Sequence, residues 1–242
     1  MDVKSLHYSF KLAMDRLDKA SSEDFNPAEI DWLLTEAQLV FIKQRFSALS
    51  NQKQKGFEAS QKRIDDLGTL HIKYPSQPLI VPSNIDGIYE VPLSTPTLAY
   101  DYLFLSRGSA KTKLGKCYYT PYLKFAQSDD LSTMLKDPFN SPGEEFLLYN
   151  IGRSTSGDGS SLYIYPGTYE VKEVYLDYIK YPKRVNLGTY TYIDGTVSVE
   201  QTLETPPQTH QEIVDIAAQL ASISIEDPRY LQLKNSKLII HE

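Results

Sequence analysis

The stretch of this 242-residue chain that looks most like a chemical motif is GRSTSGDGSS, residues 152–161. Glycine-rich loops can cradle phosphate through successive backbone N–H groups. This one lacks the GK[ST] ending of a P-loop and runs into a strand-like segment, so a mobile hairpin tip is the expected role. GSAKTKLGK (108–116) has the wrong glycine spacing for the same motif. Its lysines, with Arg107, are expected in a solvated loop able to touch an acidic partner or nucleic acid. His7, His71, His210 and His241 lie far apart with no HxxxH or HxxE grouping, so no metal is expected. Cys117, the single cysteine, sits among aromatics and reads as a buried, inert thiol. Asp129-Asp130 and Glu144-Glu145 could serve a glycosidase only if two acids converged in a pocket. Adjacent acids on a strand point to opposite faces, and there is no GxSxG elbow. Nothing here asks for an enzyme or a cofactor.

These residues must be placed by the elements around them. The clearest is Asn26 to Phe46, with Ile30, Leu33, Leu34, Ala37, Val40 and Phe41 at the spacing of one helix face. Asn26 suits the cap, Pro27 the first helical position, and Glu29 the acid of a capping box. At 1.5 Å per residue this is a rod of roughly 30 Å. Trp32 stands one position off the apolar stripe. Residues 3–19 predict a helix with Leu6, Phe10, Ala13, Met14 and Leu17 on one side, and 57–67 predict another, stopped at Gly68. Thr209 and Glu212 form a second capping-box signature ahead of Ile213, Ile216, Ala217, Leu220 and Ile223, with Pro228 ending that helix.

Between these helical ends the composition changes. Prolines appear at 75, 78, 82, 92 and 96, and 16 of the 18 tyrosines lie from Tyr74 to Tyr192. Strands are expected at 79–81, 88–91, 100–106, 116–125, 144–152, 161–165, 169–181, 189–193 and 196–203. Asp194-Gly195 is a strong hairpin signal and Asp86-Gly87 a weaker one. Residues 128–143 read as a loop with a helical turn. The expected fold is α+β: a helical layer at 1–69, an antiparallel β domain at 70–204 (sandwich or barrel), and a helix and tail at 205–242 that return to the helical layer. The tyrosines can fill a sheet, face a protein partner or stack on sugars.

Size alone demands no disulfide, and one cysteine suits a reducing compartment. Charges interrupt every apolar run near the start, unlike a signal peptide, and no segment approaches the ~20 apolar residues of a membrane span. The protein is expected to be soluble and made in a cytoplasm. A net charge of −6 argues against a general nucleic-acid binder, though not against a protein that lets DNA pass.

Three pieces carry a resemblance: FNPAEIDWLLTEAQLVFIKQRF (25–46), VYLDYIKYPKRVNLG (174–188) and ETPPQTHQEIVDIAAQLASISIEDPRY (204–230). In texture and order the chain resembles the connector or tail-ring proteins of crAss-like and related podovirus-type bacteriophages of gut Bacteroidales. The resemblance implies a structural virion protein. It would form a cyclic homo-oligomer, most often of twelve copies, below the portal, contact portal or other tail proteins, and let DNA through its lumen. No membrane is implied. The residues expected at the assembly interface are Trp32, Phe41, Phe46, Tyr178, Tyr181, Arg229, Tyr230 and Leu231. The semi-apolar segment 227–242 is expected to order on a neighbour. The competing reading is a Tyr-rich carbohydrate- or receptor-binding module.

Overall fold

A computed structural model describes residues 1–15, 25–46, 61–73, 80, 82–94, 97–154, 159–192 and 195–224. The chain divides into two units: Met1–Leu70 together with Pro182–Glu242, and His71–Tyr181. The fold is α+β, with helices drawn from both ends of the chain and an inserted, mostly antiparallel, curled sheet.

In the first unit, α1 (Val3–Asp15) buries Val3, Leu6, Phe10 and Met14. α2 (Pro27–Phe46) starts as its cap residues dictate: the Asn26 N–H donates to Glu29 Oε2 at 2.9 Å, and the Asn26 carbonyl accepts from Ile30. The expectation of one apolar face was too narrow, because Asp31, Gln38, Leu39 and Ile42 are buried as well. α2 is the central helix of its unit, packed by α5 (His210–Ser224) and α3 (Gln61–Leu67), while α1 also packs on α5. Ala217, Ala218 and Ala221 on α5 are fully buried. Side chains this small let helix axes come close.

The second capping box does not form. A 3-10 turn at Pro207–Thr209 precedes α5, and both the Thr209 N–H and its hydroxyl donate to the Pro206 carbonyl. Glu212 turns instead to Arg45, whose Nη2 donates to its carboxylate at 2.5 Å.

The inserted unit is one nine-stranded sheet, a half-barrel. Its strands are β1 (His71–Ile72), β2 (Ser83–Ile85), β3 (Ile88–Pro92), β4 (Tyr102–Leu114), β5 (Cys117–Tyr119), β6 (Tyr122–Phe125), β7 (Phe146–Arg153), β8 (Ser160–Tyr165) and β9 (Glu170–Lys180). The order is β1-β9-β4-β6-β7-β8-β3-β2, with β5 paired to β4 off this path. Among the described strands only β6 and β7 run parallel, and the crossover between them holds α4 (Ser128–Met134). Val91, Leu147, Leu162, Ile164, Leu176 and Tyr178 lie at the centre of the core.

Several strand expectations need correction. GSAKTKL is not a loop. It is the second half of β4, where buried Ala110 and Thr112 alternate with Lys111 and Lys113. Gly108 lets β6 approach closely there, since a Cβ would lie 2.7 Å from Leu123 Cδ1 and 3.1 Å from its Cβ, and Leu123 would have to shift. The 116–125 run breaks into β5 and β6 around Thr120-Pro121. The weaker turn signal, Asp86-Gly87, closes the β2–β3 hairpin with φ of 52° and 80°, as a two-residue hairpin turn needs. The strands expected at 189–193 and 196–203 shrink to isolated bridges, Asn186 with Gln201 and Thr191 with Val197. Side chains compete with the ladder there: the Tyr190 N–H donates to Ser198 Oγ, and the Gly188 N–H to Asn186 Oδ1.

Candidate assembly surface

From Ile30 to Ile42 every residue of α2 is buried or half-buried except Trp32, which is 62% exposed. Its neighbour Asp31 explains how the helix is held around it. The Asp31 carboxylate accepts from His7 Nε2 at 2.7 Å, from the Leu187 N–H at 2.9 Å and from the Tyr190 hydroxyl at 2.8 Å. One turn on, Thr35 Oγ1 accepts from the Val185 N–H at 3.1 Å and donates to the Asp31 carbonyl. Burial first, and then the Asp31 hydrogen bond and charge, push the Tyr190 hydroxyl pKa well up, so it stays a donor. A His–Asp–Tyr constellation could perform acid–base chemistry in a cleft, but Asp31 is 2% exposed and His7 7%. With Asp31 and His7 buried and Tyr190 half-buried at its edge, this network ties α1 and residues 185–190 to α2.

At the other end of α2, Arg45 Nε donates to Asp66 at 3.0 Å and its guanidinium lies 4.9 Å from the centre of the Phe41 ring. With Glu212 this clamps α2, α3 and α5 together. Gln38 is fully buried, and among the described residues neither its amide oxygen nor its nitrogen has a hydrogen-bond partner.

The other sequence-singled residues fall into distinct places. Phe41 (1% exposed) and Tyr178 (fully buried) are packing residues of their own units. Tyr178 also accepts from the Tyr100 N–H, and burial raises its pKa. Phe46 is half-buried and Tyr181 exposed. Arg229, Tyr230, Leu231 and the rest of 227–242 lie outside the described residues, as does His241. Cys117 is exposed, which corrects the buried-thiol expectation: β5 hangs on β4 beside a turn and touches no core. Gly152, Arg153, Ser160 and Ser161 end or begin the β7–β8 hairpin, with the tip at 155–158 outside the described residues. Ser154 Oγ donates there to the buried Glu90 carboxylate. His210 starts α5, its Nε2 within 2.9 Å of the Thr205 carbonyl, and burial lowers its pKa.

Sequence reasoning singled out neither the exposed Tyr118 and Phe139 nor the outward Val197 and Val199 of the first unit. The alternation of Val197, Ser198 and Val199 around a buried serine was the available signal for the last two. Among the described residues, no three His, Cys, Asp or Glu side chains group to hold a metal, and no helix is long and apolar enough to cross a membrane.

Large exposed side chains such as Trp32 in the first unit, and Tyr118 and Phe139 in the second, are of the kind that anchor protein–protein contacts. Comparison with known proteins agrees in kind. A family model described as phage tail ring protein 3/4 matches residues 1–229. No curated protein matches the chain.

Proposed function

The chain belongs to the phage tail ring protein 3/4 family, and from that membership we propose that it is the repeating stave of a closed ring joining the portal-bearing capsid to the tail. As a phage tail ring protein it is a structural component of the virion. The finer reading is a cyclic assembly of twelve copies at the portal–tail junction, contacting portal or other tail proteins, with the genome passing through. One observation carries it: the family match runs through both units, over 1–229 of the 242 residues.

A ring needs one heterologous contact repeated around an axis. Trp32, the one exposed side chain between Ile30 and Ile42 of α2, is suited to be an anchor in such a contact. The net charge of −6 favours a lumen that repels phosphates and lets DNA slide. Mass by light scattering with negative-stain images, of the chain alone and with portal rings, tests the reading. Closed rings or decorated portals are the expected result. A monomer indifferent to portal rings that binds sugars on a glycan array overturns it in favour of a Tyr-rich binding module.

A further inference from the structure

The sheet unit carries two surface patches of opposite character. The first is the β4–β5 hairpin. Lys111 and Lys113 share one side of β4, and each ammonium lies 5.9 Å from the ring centre of Tyr118, itself 60% exposed. Lys116 is exposed in the turn. Lys111 also meets Glu173 at 3.3 Å, whereas Lys113 and Lys116 form no ion pair among the described residues.

The second patch is the crossover between β6 and β7. α4 buries none of its residues, and Asp129 and Asp130 in its first turn are exposed, with no ion pair among the described residues. Beyond it, Phe139 is 91% exposed, more than any other large apolar side chain described. Its loop is pinned. The Asp137 carboxylate accepts from the Phe139 N–H at 3.0 Å and from Asn140 Nδ2 at 2.6 Å, while Lys124 Nζ donates to Asn140 Oδ1 at 3.2 Å. The aromatic ring is thus held out in water by a braced loop.

We propose that these patches are the two halves of one head-to-tail contact, in which the acidic, Phe139-bearing crossover of one copy docks on the lysine-and-tyrosine hairpin of a second copy of this chain. The proposal rests on the ring reading and names the surfaces that make the ring. Three arguments support it. The charges are complementary, which steers and orients association. An exposed aromatic with Lys136 and Asp137 before it in the loop, following exposed Asp129 and Asp130 on α4, has the composition of an interface anchor with a polar rim. Two different patches on one unit are what a heterologous, ring-forming contact requires. β6 runs antiparallel to β4, so α4, at the start of the crossover, leaves the sheet at the end away from the hairpin turn, and the crossover returns to the parallel β7 on the hairpin side. A DNA partner for the lysines is disfavoured, because Glu170 and Glu173 lie among them, Glu170 paired with Lys172.

Cys117, the only cysteine, marks the hairpin. A Cys117→Ser/Ser132→Cys chain moves the single thiol to α4. Mixed with wild-type chain and treated with a short bismaleimide, the pair should give a cross-linked dimer that neither protein gives alone. In parallel, Lys113→Glu/Lys116→Glu and Asp129→Lys/Asp130→Lys should each weaken association at least about tenfold, and all four changes in one chain should recover most of it. All four residues are half-buried or exposed, so thermal unfolding should stay near wild type. Rings that persist through either charge reversal, with no mixed cross-link, overturn the contact and leave the ring reading standing. So does a lysine reversal that costs DNA binding but not assembly. A wild-type chain that forms no multimer, alone or on portal rings, overturns both.

Discussion

Replacing Asp31 with Ala should be the most damaging single change in the helical unit. The carboxylate serves three donors, His7, the Leu187 N–H and the Tyr190 hydroxyl, at 2.7 to 2.9 Å, and only 2% of the residue is open to water. A hydrogen bond to a charged acceptor contributes about 1.5–3 kcal/mol, and donors left buried without a partner cost about 1–3 kcal/mol each. These costs overlap, so the loss should be about 3–5 kcal/mol, the upper range for removing the shared acceptor of a buried hydrogen-bond network. For a chain of this size each kcal/mol moves Tm by about 2–4 °C, which puts the loss at roughly 6–20 °C. Tyr190→Phe removes one donor and leaves the acceptor with two, so it should cost about 1–2 kcal/mol. Urea and thermal unfolding followed by circular dichroism would measure both. The reasoning is refuted if Asp31→Ala unfolds within about 1 kcal/mol of wild type, or if Tyr190→Phe costs as much as Asp31→Ala.

Four further outcomes are expected. Trp32→Ala should lower Tm by only a few degrees while weakening assembly about thirtyfold or more, as loss of a ~2 kcal/mol interface anchor would; equal losses in unfolding and sedimentation experiments would make Trp32 a packing residue. Gln38→Met fills the same space without two buried unpartnered polar atoms, and should raise stability by about 1–2 kcal/mol in denaturant titrations. Gly188→Ala places a Cβ 2.8 Å from the Glu200 backbone nitrogen at φ +74°, so a loss of about 2 kcal/mol or more is expected, with a calorimetric Tm to match. His210 has its pKa lowered by burial, so the folded state favours the neutral ring. Its contribution to stability is full above the unfolded value near ~6.5 and is lost as pH falls through the lower folded value. Unfolding free energies from pH 7 to 5 should decline less steeply in His210→Gln than in wild type.

Local rules showed through where they acted alone. Asn26, Pro27 and Glu29 start α2 because capping depends on neighbours in sequence. The β3, β7, β8 and β9 strands followed their runs of β-branched and aromatic residues to within about two residues. Misreadings arose where a distant partner decided the matter. Lys111 and Lys113 looked solvated, and their side chains are partly so, but the Ala110 and Thr112 that alternate with them face a core that only the fold assembles. Glu212 has the spacing of a cap, yet Arg45, 167 residues away in sequence, takes its carboxylate. Tyrosine enrichment could not separate buried Tyr178 from exposed Tyr118, because a tyrosine suits a core or an interface equally until the sheet curls. Phe139 was invisible for the opposite reason: a lone apolar residue in a polar loop carries no periodic signal.

The insertion of His71–Tyr181 into the helical unit has a consequence for how the chain is made. α2 is enclosed by α5, which the ribosome delivers only after the whole sheet unit. At ~5–20 residues per second, the wait from Phe46 to the end of α5 at Ser224 is roughly 10–35 s, far longer than a helix takes to form. Throughout it Leu34, Phe41 and Ile42 lack the helix that will cover them, while the sheet unit acquires its last strand, β9, before α5 is made and is free to fold first. The nascent chain thus carries a sticky, half-built helical layer behind a finished β unit, which is the state a chaperone would have to shield. Pulse-chase proteolysis of stalled chains should find the sheet unit resistant and the helical layer cut until His210–Ser224 has emerged.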